Sequence, residues 1–126
     1  MLVNQLLHQA QMSPEKEICG LVAEKNQQQR IIPVNNVASD PQNLFEMEPK
    51  ALIDAMRNIR EADEQLFAVY HSHPQGTATP SALDSKQAEY PEALYLIIAL
   101  GTKGVLELRG FRLLNHTFQS VDLHLV

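Results

Sequence analysis

The chain has 126 residues, of which 44% are hydrophobic and 20% charged, as expected for one globular domain. The net charge of -5 and the scattered Lys and Arg residues disfavour a nucleic-acid binder. A single cysteine, Cys19, excludes an intrachain disulfide and is expected to pack as a small core residue. The longest apolar run, residues 93–100, is too short to span a bilayer, and the amino terminus lacks a leader pattern. We therefore expect one domain over residues 1–126, located in the cytoplasm.

A helix and a strand hairpin are predicted at the start of the chain. Apolar residues at helical spacing over residues 2–12 predict a short amphipathic helix. Except at its ends, the segment 17–25 would carry apolar side chains on both faces of a strand, and it therefore predicts a buried strand. Gly20 within this strand leaves room for another group to approach the backbone. After a polar turn at 26–29, residues 30–34 predict a second strand, in which Pro33 requires an edge position or a bulge.

The middle of the chain predicts a loop, a helix and a strong strand. Residues 35–43 have the composition of a loop, and 44–47 alternate briefly like a short strand. The next helix starts near Pro49, which suits a first helical turn. Its apolar stripe consists of Leu52, Ala55, Met56, Ile59 and Ala62. Residues 66–70 then form a strand run that leads directly into His71.

The second half predicts one further helix and three strands. In chain order these elements are a loop at 74–80, a helix at 81–90, a strand buried on both faces at 94–100, a turn at 101–104, and an antiparallel pair at 105–114 and 117–125. The alternation of helices and strands predicts an α/β domain in three layers, with a mixed, mostly antiparallel sheet.

The run His71-Ser72-His73-Pro74, followed by Ser81 and Asp84, has the residues of a metal site. Side chains alternate along a strand, so His71 and His73 point to the same face. Asp84, in the first helical turn, can supply a third ligand. Three protein ligands with an open fourth position are typical of catalytic zinc, which two imidazoles also favour. A plainer interpretation exists, because Ser81 and Asp84 also match a capping box and His-x-His pairs are often ordinary residues.

This run resembles the JAMM (MPN+, Mov34/PAD-1) family of zinc metalloproteases. The family pattern is an upstream Glu, then His-x-His-Pro, six residues and Ser-x-x-Asp, and the match here has no gaps. The segment Glu17-Ile18-Cys19-Gly20-Leu21 is similar to the family's Glu-x-Cys-Gly-Leu. Pro33-Val34-Asn35-Asn36 and Phe45-Glu46-Met47-Glu48-Pro49 extend the resemblance, which covers residues 1–114. It implies the three-layer MPN fold, which is cytidine-deaminase-like.

The resemblance also implies a role for each site residue. His71, His73 and Asp84 would ligate one catalytic zinc ion. Glu17 would act as general base and then as general acid to the leaving amine, and Ser81 would hydrogen-bond the oxyanion. The choice of Glu17 among the glutamates depends on the resemblance alone.

JAMM proteins cleave amide bonds at the C-terminal tails of ubiquitin-like proteins. The sequence between His73 and Asp84 and after Tyr90 leaves no room for the insertions of the larger eukaryotic members. The chain therefore resembles the short prokaryotic type, which trims ubiquitin-like sulfur-carrier proteins after a Gly-Gly end. We expect such a tail to lie along a sheet edge, with Gly-Gly suited to a narrow tunnel. The carrier, the leaving group and the formation of a homodimer stay open.

Two other functions are alternatives. A non-catalytic MPN-type scaffold would bind partners without metal, although the complete ligand set and Glu17 disfavour it. Another two-His-one-carboxylate metalloenzyme, such as a deaminase or a cupin-type oxygenase, is the second alternative. A zinc deaminase needs His-x-Glu and Pro-Cys-x-x-Cys, neither of which occurs here. A cupin needs a Glu soon after His-x-His, and residues 74–80 contain none.

Overall fold

The fold is that of a computed structural model, which describes residues 2–81, 84, 88–102 and 105–121. In chain order its elements are α1 (Leu2–Gln11), β1 (Cys19–Lys25), β2 (Gln28–Val34), α2 (Pro49–Glu61), β3 (Gln65–His73), β4 (Leu94–Thr102), β5 (Val105–Leu114) and β6 (Thr117–Val121). Neither helix in these ranges combines the length and the apolar character that crossing a membrane requires.

The six strands form one sheet in the order β2-β1-β3-β4-β5-β6. All neighbouring strands are antiparallel except β3 and β4, which run parallel. The predicted mixed, mostly antiparallel sheet is therefore confirmed. A parallel pair needs a crossover connection, and here residues 74–93 make it. This crossover brings Ser81 and Asp84 back to the end of β3.

The helices cover opposite faces of the sheet, which confirms the three-layer α/β architecture. Leu2, Leu6 and Ala10 of α1 pack against one face, and Ala55 and Ile59 of α2 pack in the cluster on the other. β4 contributes alternate residues to the two faces: Leu94, Leu96 and Ile98 toward α1, and Tyr95, Ile97 and Ala99 toward α2. Because β4 carries apolar side chains on both of its faces, it lies in the centre of the domain.

Both predicted hairpins close with two-residue turns. Asn26 and Gln27 have φ of 53° and 68°, and Asn115 and His116 have φ of 51° and 63°. Two successive residues of positive φ match the right-handed twist of the flanking strands, which suits tight hairpins. The first turn is therefore shorter than the predicted 26–29, and β2 begins at Gln28 rather than at residue 30.

The predictions for Pro33 and Gly20 are confirmed. β2 is an edge strand, where a residue without an N–H group is tolerated. A Cβ atom on Gly20 would lie 2.5 Å from the carbonyl oxygen of Ile32 and 2.5 Å from the hydroxyl of Tyr70. The group that approaches Gly20 is thus the ring of Tyr70, on the α1 face of β3.

Several predicted elements or boundaries were wrong. The strand predicted over residues 17–25 begins only at Cys19, because the N–H of Glu17 donates to the carbonyl oxygen of Pro41 in a loop. Residues 44–47 are not a strand, and among the described residues the segment makes one isolated bridge, between Met47 and Asn36. β4 extends to Thr102, so the first half of the predicted turn at 101–104 is strand. β3 continues to His73, which places both histidines on the strand itself.

The predicted helix at 81–90 lies partly outside the described residues, which omit 82, 83 and 85–87. Asp84 is helical, whereas residues 88–90 have no regular structure. Their backbone is bonded elsewhere, because the hydroxyl of Tyr95 accepts hydrogen bonds from the N–H groups of Glu89 at 3.1 Å and Tyr90 at 2.8 Å. The rest of the predicted turn, residues 103 and 104, and the predicted end of the last strand, residues 122–125, also lie outside the described residues.

Candidate metal centre and active site

His71 and His73 lie at the carboxyl end of β3 and point to the α2 face of the sheet. Their Nε2 atoms are 3.1 Å apart, as the alternation of side chains along a strand predicts. β3 is held between β1 and β4 at this point, where His71 pairs with Cys19 on one side and Ile97 on the other. The backbone on which both imidazoles stand is therefore fixed by the sheet.

Asp84 completes a triangle with the two imidazoles. Its Oδ2 atom lies 3.3 Å from Nε2 of His71 and 3.2 Å from Nε2 of His73. A four-coordinate zinc ion bonded at about 2.0–2.1 Å has ligand atoms about 3.3–3.4 Å apart. The three atoms therefore have the chemistry and the spacing of three corners of a zinc tetrahedron.

The protonation states of these groups are set by burial and by each other. Burial lowers the pKa of His71, whose side chain is almost fully enclosed, and so favours the neutral imidazole that binds metals. Burial opposes ionisation of Asp84, but hydrogen bonds from His71 and His73 outweigh it and hold the pKa of the carboxyl well below its usual range. Burial by itself would lower the pKa of His73, but the hydrogen bonds with Asp84 and Thr77 outweigh burial and raise it.

Two neighbouring groups orient the imidazoles. Nδ1 of His73 lies 2.8 Å from the carbonyl oxygen of Thr77. A carbonyl can only accept, so Nδ1 carries a proton, and in the neutral ring the lone pair is on Nε2, which faces Asp84. The ring of Phe45 stacks on His71 with centroids 4.4 Å apart and planes at 21°.

Glu17 lies two residues before the start of β1 and faces the same centre. It is 5% exposed, and a carboxylate oxygen of Glu17 lies within 4.8 Å of ring nitrogens of His71 and His73. The next residue is anchored to β3, because Ile18 N–H donates to Ser72 Oγ at 2.8 Å and Ser72 N–H donates to Ile18 O at 3.0 Å. Glu17 is thus held with its carboxyl close to both imidazoles of the triangle.

The carboxyl of Glu17 is suited to proton transfer near neutral pH. Burial raises its pKa to about 7, with His73 lowering it and the charges of Asp84 and Asp40 adding to the increase. An acid of this strength can accept a proton and release it again at pH 7.

Ser81 and Asp84 form the capping pair that the sequence offered as the plainer interpretation. Ser81 Oγ accepts a hydrogen bond from the N–H of Asp84 at 3.0 Å, and Ser81 N–H donates to Asp84 Oδ2 at 2.9 Å. This pairing coexists with the contacts of Asp84 to both histidines. Because Ser81 Oγ acts as an acceptor here, its own O–H remains able to donate. The structure thus brings all five predicted site residues together.

An apolar groove of about 580 Å³ adjoins the site on the α2 face of the sheet. It is lined by Phe45, Glu46, Met47, Leu52, Val69, His71, Asp84, Ala88, Glu89, Tyr90, Tyr95 and Phe118. The sequence predicted that a bound tail would lie along a sheet edge. In the described sheet the edges are β2 and β6, neither of which neighbours β3, whereas the groove is lined by His71 and Asp84 themselves.

Sequence reasoning missed several groups that shape the site. Phe45 and Asn36 entered only as parts of the family resemblance, with no role. Strand alternation predicts that Ser72 faces away from the two histidines, but its hydrogen bond with Ile18 was not predicted. The carbonyl of Thr77 left no signal, because any residue supplies a backbone carbonyl.

Several known proteins are similar to this chain in sequence, and solved structures are similar to it in fold. Residues 1–113 match the profile of the prokaryotic homologues of the JAB domain. The chain is 33% identical to a desampylase of Haloferax volcanii over 87 residues, 67% of this chain and 63% of that protein. It is 39% identical to a probable TtuB-protein conjugate cleaving protease of Thermus thermophilus over 90 residues, 71% of this chain and 59% of that protein. These two matches thus span less than two thirds of either relative.

A third relative and two solved structures match over more of their length. A CysO-cysteine peptidase of Mycobacterium tuberculosis is 29% identical over 99% of this chain and 87% of that protein. A solution structure of a Desulfitobacterium hafniense protein has a TM-score of 0.78 at 26% identity, covering 95% of this chain and 85% of that one. One from Salinibacter ruber has a TM-score of 0.63 at 25% identity, covering 97% and 86%. The resemblance drawn from the motif is confirmed, and the chain belongs to the family of prokaryotic homologues of the JAB domain.

Proposed function

We propose that the chain, acting as a single domain, is a zinc-dependent peptidase that hydrolyses the amide bond after the C-terminal Gly-Gly of a ubiquitin-like sulfur-carrier protein. The observation that carries the proposal is the convergence of three ligand atoms within 3.3 Å of one another beside the buried carboxyl of Glu17. The names of the three relatives, a desampylase, a conjugate-cleaving protease and a CysO-cysteine peptidase, support the substrate class.

The ligands in this proposal are Nε2 of His71, Nε2 of His73 and Oδ2 of Asp84. A bound zinc ion would supply Lewis acidity for the amide carbonyl and would make water a stronger acid. The protein holds the three ligand atoms in place by the sheet under the histidines, by the Thr77 carbonyl behind His73, and by the pairing of Asp84 with Ser81.

Glu17 moves the proton in this mechanism. Its carboxylate takes a proton from the attacking water as the C–O bond forms, which leaves a tetrahedral oxyanion, and then gives that proton to the amide nitrogen as the C–N bond breaks. A positioned acid–base group of this kind contributes typically about 10²–10⁴-fold. In the metal-free protein burial raises the pKa of Glu17 to about 7, and the positive charge of a bound zinc ion would lower it toward the ionised form that accepts the proton.

Ser81 stabilises the developing negative charge. Its Oγ already accepts from the N–H of Asp84, which fixes the oxygen and leaves the hydroxyl proton to donate to the oxyanion. A donor preorganised in this way is worth about 10²–10³-fold in kcat. The adjoining groove offers an apolar surface for the residues that precede Gly-Gly.

The direct test is cleavage of a defined substrate. The zinc-loaded protein is incubated with sulfur carriers that bear a C-terminal peptide extension or an attached amino acid after Gly-Gly, and products are followed by intact mass. We expect loss of the group after Gly-Gly, abolished by a chelator. The absence of cleavage across several carriers and tails, with zinc bound, would contradict the proposal.

Glu17→Gln is the matching variant for the proton-transfer role. It should bind zinc but lose about 10²–10⁴-fold in kcat, because the amide cannot accept the proton. Glu15→Gln, two residues earlier and exposed, is the control and should keep wild-type turnover. Retained activity in Glu17→Gln would exclude Glu17 as the base.

The same experiments separate the alternatives. A protein that binds no metal at all would favour the non-catalytic scaffold, and iron in the purified protein would favour another two-His-one-carboxylate enzyme.

The proposal includes the cytoplasmic location that the sequence predicts, which cell fractionation would check. Whether the active form is a homodimer is measured by sedimentation.

A further inference from the structure

Asn36, in the loop after β2, uses its whole side-chain amide to join separate backbone segments. Nδ2 donates to the carbonyl oxygens of Glu17 and Leu44, both at 2.9 Å. Oδ1 accepts from the N–H groups of Ala38 and Glu46, both at 3.0 Å. A side-chain amide offers two donors and two principal acceptor sites, so its capacity is filled by these four partners, and the carbonyl oxygen of Pro41 is a longer third contact of Nδ2 at 3.5 Å.

The segments joined in this way are the ones that surround the metal triangle. The bond to Glu17 O fixes the backbone of the proposed base, whose own N–H donates to Pro41 O at 2.7 Å in the same loop. The bonds to Leu44 and Glu46 flank Phe45, whose ring stacks on His71. One side chain therefore sets the distance between the base and the aromatic cover of a ligand.

The contacts explain why asparagine stands here. An aspartate could accept from Ala38 and Glu46 but has no N–H to give to Glu17 or Leu44. An amide turned over by 180° would face two carbonyl oxygens with its own oxygen and two N–H groups with its NH₂. Of the residues of this size, only asparagine provides two donors and two acceptors on one planar group.

We propose that Asn36 is a positioning residue of the reaction, which holds the carboxyl of Glu17 in register with the metal triangle through the backbone of residue 17. This inference depends on the proposed function. Asn36 contacts no ligand atom and does not itself line the groove, so it acts through the backbone of Glu17 and of the Phe45 segment, whose residues Phe45 and Glu46 do line the groove.

Removal of the side chain should therefore slow turnover without weakening the binding of substrate or of metal. In Asn36→Ala we expect kcat to fall about 10- to 100-fold, since misplacement of a catalytic group by about 1 Å has that effect. KM and zinc affinity should stay within about threefold, because the ligands are held by β3 and Ser81. Asn35→Ala is the matched control: the neighbouring asparagine is exposed, and its variant should keep wild-type kinetics.

A second readout does not depend on activity. Amide hydrogen exchange in the zinc-loaded protein reports the opening of each segment. In Asn36→Ala, exchange at the N–H groups of Glu17, Ala38 and Glu46 should become about tenfold faster or more, while β3 and β4 stay as protected as in the wild type. Asn36→Asp divides the network, because it keeps the acceptors for Ala38 and Glu46 and loses the donors to Glu17 and Leu44. Its kcat should fall as in Asn36→Ala, with Ala38 and Glu46 still protected.

Several results would overturn the inference. Unchanged exchange at all three amides would show that Asn36 holds nothing there, and faster exchange throughout β3 and β4 would reduce it to a general structural role. Full activity in Asn36→Asp would exclude the contact with Glu17 as the one that matters. If the zinc-loaded wild type cleaves no carrier, the proposed function fails, and the exchange measurement still decides whether Asn36 fixes Glu17.

Discussion

At the scale of single residues, four titratable groups in the site set one another's charge. His71 is buried and neutral, whereas Asp84 is ionised because two imidazoles hydrogen-bond to it. His73 is shifted toward the charged form, and Glu17 toward the neutral form. The metal-free centre therefore favours an ion pair between His73 and Asp84, in the place where a cation would bind. Protons and a metal ion compete for the same atoms.

This competition predicts that metal affinity falls on acidification. The pKa of His73 is raised above its usual 6.5 by its contacts with Asp84 and Thr77, and a protonated ring must release its Nε2 proton before it can bind a cation. Affinity should fall by about tenfold per pH unit for each proton displaced as the pH drops below that pKa. Competition with a chromophoric chelator at pH 8, 7 and 6 measures it. The exposed His8 of α1 provides the control variant, His8→Ala, with an unchanged profile. Affinity independent of pH over this range would contradict the assignment of His73 as a ligand.

Glu17 predicts a second pH effect, on the stability of the metal-free protein. Its pKa is about 7 in the folded state against the usual 4.5, so ionisation between these values costs stability as pH rises. Glu17→Gln should be more stable than the wild type at pH 8, by on the order of 2 kcal/mol, with the difference vanishing near pH 4.5. Urea unfolding in chelator at both pH values measures the free energy of unfolding. Glu15→Gln should show no such trend, and a wild type more stable than Glu17→Gln at pH 8 would refute the prediction.

At the scale of elements, β3 organises the site with both of its faces. On the α2 face it carries His71 and His73, and on the α1 face Ser72 holds Ile18 and thereby the residue before it, Glu17. The start of β1 and the end of β3 are thus a single structural unit. A change that displaces β1 along β3 moves the proposed base relative to the ligands.

A substitution at Gly20 would measure how tightly β1 packs against its neighbours β2 and β3. A Cβ at this position would lie 2.5 Å from the backbone oxygen of Ile32 and 2.5 Å from the hydroxyl of Tyr70, so that at least one strand must shift. Gly20→Ala should therefore lower the free energy of unfolding by about 2–3 kcal/mol, as overpacking does. Urea denaturation measures the loss, and Gln29→Ala on the exposed edge strand is the control. A change below about 0.5 kcal/mol would mean that the sheet adapts at no cost.

At the scale of the whole molecule, the site exists only where distant parts of the chain meet. Glu17 comes from the approach to β1, the histidines from β3, and Asp84 from the crossover that the parallel pair of β3 and β4 requires. The unfolded chain cannot hold these atoms within bonding distance of one ion. Metal binding is therefore coupled to folding of the domain.

This coupling predicts stabilisation that depends on metal concentration. Zinc at about 100 times its Kd should add about 2.7 kcal/mol to the free energy of unfolding, since it binds the folded state alone. Thermal unfolding at increasing free zinc, buffered with chelator, measures the shift in Tm. His73→Ala should abolish the shift, whereas His8→Ala should retain it. A Tm indifferent to zinc in the wild type would contradict a preformed metal centre.

The sequence by itself determined the parts that depend on local pattern. Strand alternation placed the two imidazoles on one face, and helical spacing identified α1 and α2. Spacing also supplied Ser81 and Asp84 as a pair, and the motif pointed to the family. These features depend on residues within a few positions of each other, for which period and residue type are sufficient.

The tertiary structure alone decided the features that join distant residues. The hydroxyl of Tyr95 keeps residues 89 and 90 out of the predicted helix, and Asn36 replaces a strand at 44–47 with side-chain hydrogen bonds. The position of Glu17 depends on a bond between Ile18 and Ser72, which are 54 residues apart. No local period encodes such contacts, because each partner satisfies its hydrogen bonds only after the sheet has brought the two segments together.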